Sequence, residues 1–543
     1  STLDRSSAAS DVYKRQDLDA HRYDVAIIGM GPTGACAAIH LANAGIKVAI
    51  FEKNKDIYPL PRAVSIDGEI VRAFQGIGKG DELAKILQPI RPDDRAGFAD
   101  AKRNWLFGTR LLADGPNGWP HNSQFYQPEL DQYFRDTAQT YQNIDIFFGE
   151  EIKDCSQNGN GVRLQSKKRE VLSQYVIACD GANSPTRKAL EISWQDLGYD
   201  HEWLVVDAEI NSKSTLPNDV LQVCDADRLH TFVATKDPFR RWEFRLNPGE
   251  KAEDILQDEA IHRLLSTWTP RNSYQIRRKA VYQFHAAVAK SWRVGKIFLA
   301  GDAAHQMPPF IGQGMNTGLR DVLNLTWKLN LVISGEAKES LLDTYEKERL
   351  PHAEDLVEWS VTFGNLMEHI AATDAAKRVG DPPPAEPQKQ KSAGYGQGRH
   401  IPPLRSGLIR VYQVSNDGST GYLMNQPKLR TKSGIECWLD NLIKDRFALL
   451  TSRTLDLDRA SLEIIERLNL KVLNVGDFEV LEGHFDKCLR HEDCLLARPD
   501  RYVYGHSTKE VSPDQLINDL GQSCLLYTSD AADERSSVDL GGR

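Results

Sequence analysis

Residues 23–28 (YDVAII) form a short apolar run of strand type, and residues 47–52 (KVAIFE) form another. Between them lies ACAAIHLANAG, with small residues on one helical face and Gly45 at its close. Strand, helix and strand in that order predict a βαβ unit. Further on, PELDQYFRDTAQTY predicts a helix and IDIFF a strand, and residues 150–180 alternate as short strands ending in YVIACD. From about 200 to 290, WLVVDAEI, RLHTFVAT, RRWEFRL and AVYQFHAAVA predict a strand-rich second unit. The chain then returns to a strand in KIFLAGDAAH and a long helix in MNTGLRDVLNLTWKLNLVISG. Residues 376–402 lose this periodicity and are rich in Pro, Gly and Lys, as in a linker or long exposed loop. Beyond them FALLTS and KVLNVG alternate with the helical DRASLEIIERLNL, which predicts a small α/β domain.

The two ends differ from the rest. Residues 1–16 carry no apolar core of a signal peptide, and residues 523–543 are small, polar and without period, resembling translated linker. Both are set aside as non-native or disordered. The remaining composition is globular, with 41% hydrophobic and 26% charged residues. A net charge of −9 gives no general attraction for nucleic acid or anionic lipid. No apolar run approaches the length of about 20 residues that a membrane helix needs. The eight cysteines include no CxxC pair, which reads as reduced thiols of a cytoplasmic protein. Cys488, His491 and Cys494 match no usual zinc spacing, so no metal is expected.

Three motifs carry chemistry. Gly29-x-Gly31-x-x-Gly34 follows the first strand, and Glu52 stands eighteen residues after the last glycine. Such glycines let backbone approach a pyrophosphate at a helix N-terminus, and an acid at the second strand's end binds ribose hydroxyls. That acid repels a 2′-phosphate, which favours FAD or NAD over NADP at this site. Asp180-Gly181 follows YVIAC; by itself it is most often a turn. Gly301-Asp302 follows KIFLA and leads to Pro308-Pro309 and Gly312-Gln-Gly314-Met315-Asn316. Asp302 suits the hydroxyls of a ribityl chain, and the glycines let backbone N–H groups reach a flavin edge.

With these signatures in this order, the chain resembles the class A flavoprotein aromatic hydroxylases, the group of para-hydroxybenzoate and phenol hydroxylases. R-A-V-S-I-D-G-E from Arg62, F-Y-Q-P-E-L-D from Phe125, R-R-W-E-F from Arg240 and R-P-D-R-Y from Arg498 support the likeness over most of residues 22–505. The resemblance implies an α/β fold: a Rossmann-type FAD-binding domain, an inserted β-rich substrate domain, and a C-terminal thioredoxin-like α/β domain. The expected limits are 17–195 for the first FAD part with some substrate-domain strands, 196–290 for the substrate domain, 291–375 for the second FAD part, and 403–522 for the last domain. Without a CxxC, that last domain is expected to pack or to form a homodimer. The implied reaction uses FAD, NADH or NADPH, and O2 to hydroxylate a small phenolic acid ortho to its hydroxyl. The branch acting on 3-(3-hydroxyphenyl)propionate and 3-hydroxycinnamate fits best. A related phenol or resorcinol hydroxylase, a flavin NAD(P)H oxidase and a Rossmann dehydrogenase remain open.

Residue roles follow from the same resemblance, each beside a plainer reading. Arg62 would lie near flavin and pyrophosphate, or form a surface ion pair. Gln127 would contact the flavin, or be a polar residue at a helix start. Asp180 would serve the cofactor or the turn. Gly301, Asp302, Pro309, Gly312, Gly314, Met315 and Asn316 would form the flavin site. Asp67 would take the phenolic proton, or cap a helix. Arg241 would stabilise the reduced flavin anion, or pair with Glu243 on a sheet face. His305 would pack against the cofactor loop, or act as a base, and Cys179 is expected to be a buried strand residue.

Overall fold

The structure is a computed structural model that describes residues 22–526 apart from 92, 112–114, 160, 212–214, 386–400, 414–418 and 491–493. Residues 1–21, the greater part of the expected linker, and His491 lie outside the described residues.

Strand Arg22–Ile28 lies inside the first sheet, and its residues from Val25 to Ile28 are all buried. It pairs in parallel with Glu170–Ala178 on one side and with Val48–Glu52 on the other. Ile297–Leu299 adds in parallel to Glu170–Ala178, and Ile144–Phe148 adds to Val48–Glu52. A strand buried on both faces reads as a continuous apolar run, as the sequence does here. Register then decides the site. Ile28 lies opposite Ala178, and Ala178 opposite Leu299. The residues that follow these three are Gly29, Cys179 and Ala300, so all three motifs meet at the carboxyl edge of one sheet, where open α/β sheets bind ligands.

Helix Pro32–Asn43 starts with proline at its first turn and buries Gly34, Ala35, Cys36 and Ala38. Helix Gly314–Ile333 crosses close by. A Cβ on Gly318 would stand 2.7 Å from Thr33 Oγ1 and 2.9 Å from the Gly301 Cα, so only glycine permits this approach.

The second sheet orders Arg95–Asp100, Val220–Cys224, His230–Ala234, Phe239–Arg245, Trp194–Ile210 and Tyr274–Ala289 as neighbours, with edge strands Trp105–Arg110 and His305–Gln306. Its strands at 95–110 come from within the first FAD part. Helix Asp343–Val379 packs against this sheet, and Gly364 lets it approach: a Cβ there would lie 2.6 Å from the Tyr199 ring and 2.9 Å from Phe310. That helix also corrects the expected linker, since residues 376–379 continue its last turn up to Gly380.

The C-terminal unit orders Lys471–Asn474, Ala448–Thr451, Cys494–Ala497 and Val503–His506, the first pair parallel and the rest antiparallel. With helices Arg459–Arg467 and Pro513–Cys524, this is a thioredoxin-like arrangement. Of the end expected to be non-native or disordered, residues 527–543 lie outside the described residues, and residues 523–526 are ordered. Cys524 is fully buried, Leu525 is 1% exposed and bridges to Ala337, and Leu526 N donates to Glu336 O. The apolar ends of these residues complete a core shared with Leu341. No helix among the described residues is long and apolar enough to cross a membrane.

Buried ion pairs join this unit to the rest. Arg72 and Arg501 both grip Asp440, at 2.8 and 2.7 Å. Glu348 receives Lys328 Nζ and Arg498 Nη2, each at 2.8 Å, and Leu408 N at 2.7 Å. Burial pushes both carboxyls up, yet the facing guanidinium and ammonium groups hold each at about 2. Folded values below the ordinary carboxylate range mean that these groups stabilise the fold above about pH 4.5 and lose that contribution as pH falls toward 2. Glu348→Gln is expected to cost about 3–5 kcal/mol, because Arg498 and Lys328 are left without their buried anion. Thermal and acid unfolding midpoints of the variant against the native chain check this.

Candidate active site

A cavity of about 430 Å³ opens where the two sheets meet. On one side stand the Gly29–Gly34 loop, Gly301 turn and the start of helix Gly314–Ile333; on the other stands the second sheet.

The three motif glycines differ in their reasons. Gly29 has φ +97°, and a Cβ there would lie 2.3 Å from the Cys179 carbonyl oxygen. A Cβ on Gly34 would lie 2.0 Å from the Gly29 carbonyl oxygen. Both are demanded by the fold itself. Gly31 has nothing within 4 Å of its absent Cβ and lines the cavity. It leaves an open floor at the N-terminus of helix Pro32–Asn43, which fits a pyrophosphate. Glu52, at the end of its strand, accepts from Met30 N at 2.9 Å and from Asn54 N at 2.8 Å.

Asp302 sits in the Gly301–Ala303 turn, lines the cavity, and makes no hydrogen bond or ion pair among the described residues. A cavity-facing carboxylate left without a protein donor fits the hydroxyls of a ribityl chain. Its neighbour Gly301 has φ +62° and donates to Asp321 at 3.1 Å. The Pro309–Ile311 turn ends at Gly312, in the left-handed region, which aims the start of helix Gly314–Ile333 at the cavity. Gly314 and Met315 line the cavity there, and the first-turn N–H groups of a helix have no partner inside it. Free amides and the helix dipole suit the carbonyl edge of a flavin and the negative charge of its reduced ring. An unpaired acid, an open glycine floor and a bare helix start together fit FAD.

Four of the expected site residues have protein partners. Asp67 does not line the cavity. Its carboxylate accepts from Asn122 Nδ2 at 3.0 Å, Gln313 Nε2 at 2.9 Å and Arg320 Nη2 at 2.6 Å. It precedes helix Gly68–Gly76 without capping it through its side chain. A carboxylate so engaged is placed to position other groups and not to meet a phenol. The Asn316 side chain likewise turns inward: Oδ1 accepts from Asp67 N at 3.0 Å and Nδ2 donates to Gly312 O at 3.1 Å. Asp180 Oδ2 accepts from Thr186 N at 3.0 Å and shapes the turn beside the cavity. Gln127 lines the cavity, but its Oε1 holds the Arg62 and Ala63 amides, each at 2.8 Å.

Arg62 is exposed and lines the cavity, with its guanidinium over the Tyr58 ring. Arg241 is buried and pairs with Asp207 at 2.7 Å, while Glu243 lies farther off at 3.9 Å. Its outer nitrogens donate to Arg62 O at 2.6 Å and Pro61 O at 3.0 Å. It therefore fixes the loop that carries Arg62. His305 is buried against Asp321 at 2.8 Å and Trp292, away from the cavity. Cys179 lines the cavity; burial, then the neighbouring Asp180 and Asp321, hold its thiol well above the ordinary value.

The sequence reading missed the sheet side of the cavity. Gln222, Thr231 and Glu243 lie in one row across three strands. Their i, i+2 spacing with Val220, Val233 and Arg241 was visible as alternation, but pairing across strands was not.

The sequence profile described as FAD binding domain matches residues 22–360, and the chain belongs to that family. It is a class A FAD-dependent aromatic hydroxylase, an oxidoreductase. Over 442 residues it is 32% identical to 3-(3-hydroxy-phenyl)propionate/3-hydroxycinnamic acid hydroxylase of Escherichia coli (strain K12), covering 79% of this chain and 78% of that protein. Among solved structures it is similar to aklavinone-11 hydroxylase in complex with FAD and aklavinone, with a TM-score of 0.76, 22% identity, and coverage of 93% of this chain and 99% of that one. The flavin-dependent monooxygenase PieE, in complex with FAD and substrate, gives a TM-score of 0.75, 19% identity, and coverage of 92% and 99%.

Two substitutions separate fold from cofactor. Gly34→Ala is expected to destabilise the chain, because its Cβ meets backbone. Gly31→Ala should fold with an unchanged melting temperature yet retain less FAD, read from flavin absorbance after desalting. Asp67→Asn is expected to lower stability by about 1–3 kcal/mol through loss of its charged hydrogen bonds. It should leave the pH dependence of ring hydroxylation in place, checked by melting and by a pH profile of product formation.

Proposed function

We propose that this enzyme uses NADH or NADPH and O2 to hydroxylate a small phenolic acid ortho to its hydroxyl, with 3-(3-hydroxyphenyl)propionate and 3-hydroxycinnamate as substrates. The observation that carries this reading is the two-sided cavity. One wall fits a flavin, and the other is a sheet face that mixes apolar Val220, Val233 and Ala234 with polar Gln222, Thr231, Arg241 and Glu243, around a space of a size to hold an aromatic ring with a polar substituent. The named substrates follow from the Escherichia coli relative.

Bound FAD supplies hydride acceptance and oxygen activation. The chain does the remainder. Asp302 accepts hydrogen bonds from the ribityl chain, and the Gly314–Met315 amides face the ring's polar edge. Val220, Val233, Ile311 and Phe363 line the space for the substrate ring and exclude water from it. Arg241 holds the Pro61–Arg62 backbone against the cofactor side. Eight cysteines without a disulfide support a reducing compartment such as the cytoplasm.

The test is product identification. The FAD-loaded enzyme, given NADH or NADPH, should consume it faster with 3-(3-hydroxyphenyl)propionate and form the 2,3-dihydroxyphenyl product. Preferred turnover of another phenol or resorcinol would move the substrate assignment. Reduced-cofactor oxidation without any hydroxylated product would sink the reading.

A further inference from the structure

Among the described residues, each polar group on the sheet side of the cavity, with one exception, already has a protein partner. Thr231 Oγ1 donates to Gln222 Oε1 at 2.7 Å, and Gln222 Nε2 donates to the Phe310 carbonyl at 3.3 Å. Gln124 donates to the Ala234 carbonyl, and Asn122 to Ile66 O at 3.2 Å and Asp67 at 3.0 Å. The Arg241 guanidinium is occupied by Asp207 and two carbonyls. The exception is Glu243. It is 4% exposed, lines the cavity, and accepts no hydrogen bond among the described residues; Arg241 Nη1 stands off at 3.9 Å.

A buried carboxylate without a donor is costly, and a fold that keeps one in a ligand cavity has it free for a ligand. Its charged surroundings are defined. Arg241 shares its strand, Asp207 stands on Trp194–Ile210, and Arg278 on Tyr274–Ala289. Facing it from His230–Ala234 is Thr231, whose hydroxyl is turned to Gln222. The helix Asp343–Val379 presents apolar Trp359 and Phe363 to the cavity. With Glu243 ionised, the four charged groups Arg241, Arg278, Asp207 and Glu243 sum to zero.

We propose that Glu243 is the catalytic residue that takes the phenolic proton of the substrate, an assignment that rests on the phenol hydroxylase reading above. The substrate O–H bond breaks, the proton goes to a Glu243 carboxylate oxygen, and the electron pair stays on the phenolate oxygen. One negative charge thus leaves the carboxylate and appears on the substrate, beside the same two guanidinium groups. The phenolate raises electron density at the ortho carbon, which is where an electrophilic oxygen adds. Addition leaves the ring as a ketone with a C–H at the new C–O carbon; that C–H bond breaks, its proton goes to water, its electron pair restores the aromatic ring and the phenolate, and the phenolate recovers the proton held by Glu243. Burial raises the Glu243 carboxyl to about 7, against the opposing pull of Arg241, so it exchanges protons near neutral pH.

The experiment compares wild type, Glu243→Gln and Glu243→Asp as FAD-loaded enzymes with 3-(3-hydroxyphenyl)propionate. In wild type, product formation should rise with pH through about 7, as the carboxyl ionises. Glu243→Gln should keep its FAD and lose that rise, with kcat for hydroxylation lowered about 100-fold. Glu243→Asp should restore part of the rate and the rise. A ring-fluorinated analogue, whose phenol is more acidic, should shrink the Gln defect, which a merely structural role would not do. If wild type is active and Glu243→Gln matches it within about threefold with the same pH profile, the Glu243 assignment is wrong and the phenol hydroxylase reading stands. Should Glu243→Gln fail to retain FAD, Glu243→Ala is read in its place: an FAD-loaded Glu243→Ala with the wild-type rate and pH profile would equally overturn the assignment. A wild type that hydroxylates no phenol overturns both.

Discussion

The carboxylate of Asp207 holds two buried guanidinium groups, Arg241 at 2.7 Å and Arg278 at 3.1 Å, and both reach across to the Pro61 carbonyl. That seam joins the substrate sheet to the cofactor loop. Three charges buried together are stable only when each is matched by a counter-charge or a hydrogen bond, so the loop has little freedom to move away. Gln127 fixes the same loop from the other side through the Arg62 and Ala63 amides. The position of Arg62 at the cavity therefore depends on contacts made by its own backbone and not by its side chain.

A second constraint is register. The three cofactor motifs lie far apart in the chain, yet parallel pairing sets Ile28, Ala178 and Leu299 at one level. A slip in any of these pairs would separate the Gly29 loop from the Gly301 turn. Close packing enforces the alignment, since Gly29 lies against Cys179 and Gly318 against Gly301. The C-terminal unit supports the arrangement from outside through Asp440 and Glu348, the latter on the long helix that also closes over the substrate sheet.

Much of this was legible in the sequence because it rests on local pattern. Buried parallel strands are apolar runs, and glycines forced by close approach recur at fixed spacing. What the sequence hid was pairing over long distances. Asp67 looked like a free acid because its partner Arg320 is 253 residues away. Glu243 looked like the partner of Arg241, whereas Asp207 on the neighbouring strand takes that place. Residues 523–526 looked foreign by composition, although Cys524 and Leu525 carry the apolar surface that fills the core beside Ala337. Side-chain chemistry near the site was readable; which neighbour had already claimed each group was not.

Cys179 at the cavity wall has a consequence for endurance. An enzyme that brings oxygen to a reduced cofactor exposes its own interior to stray oxidants. Thiolates react with such oxidants and thiols scarcely do. Burial keeps the Cys179 and Cys36 thiols strongly protonated, and pushes Cys224 in the substrate sheet up to about 12. Sulfur beside the cavity is thus held as the thiol, the form that reacts least with such oxidants.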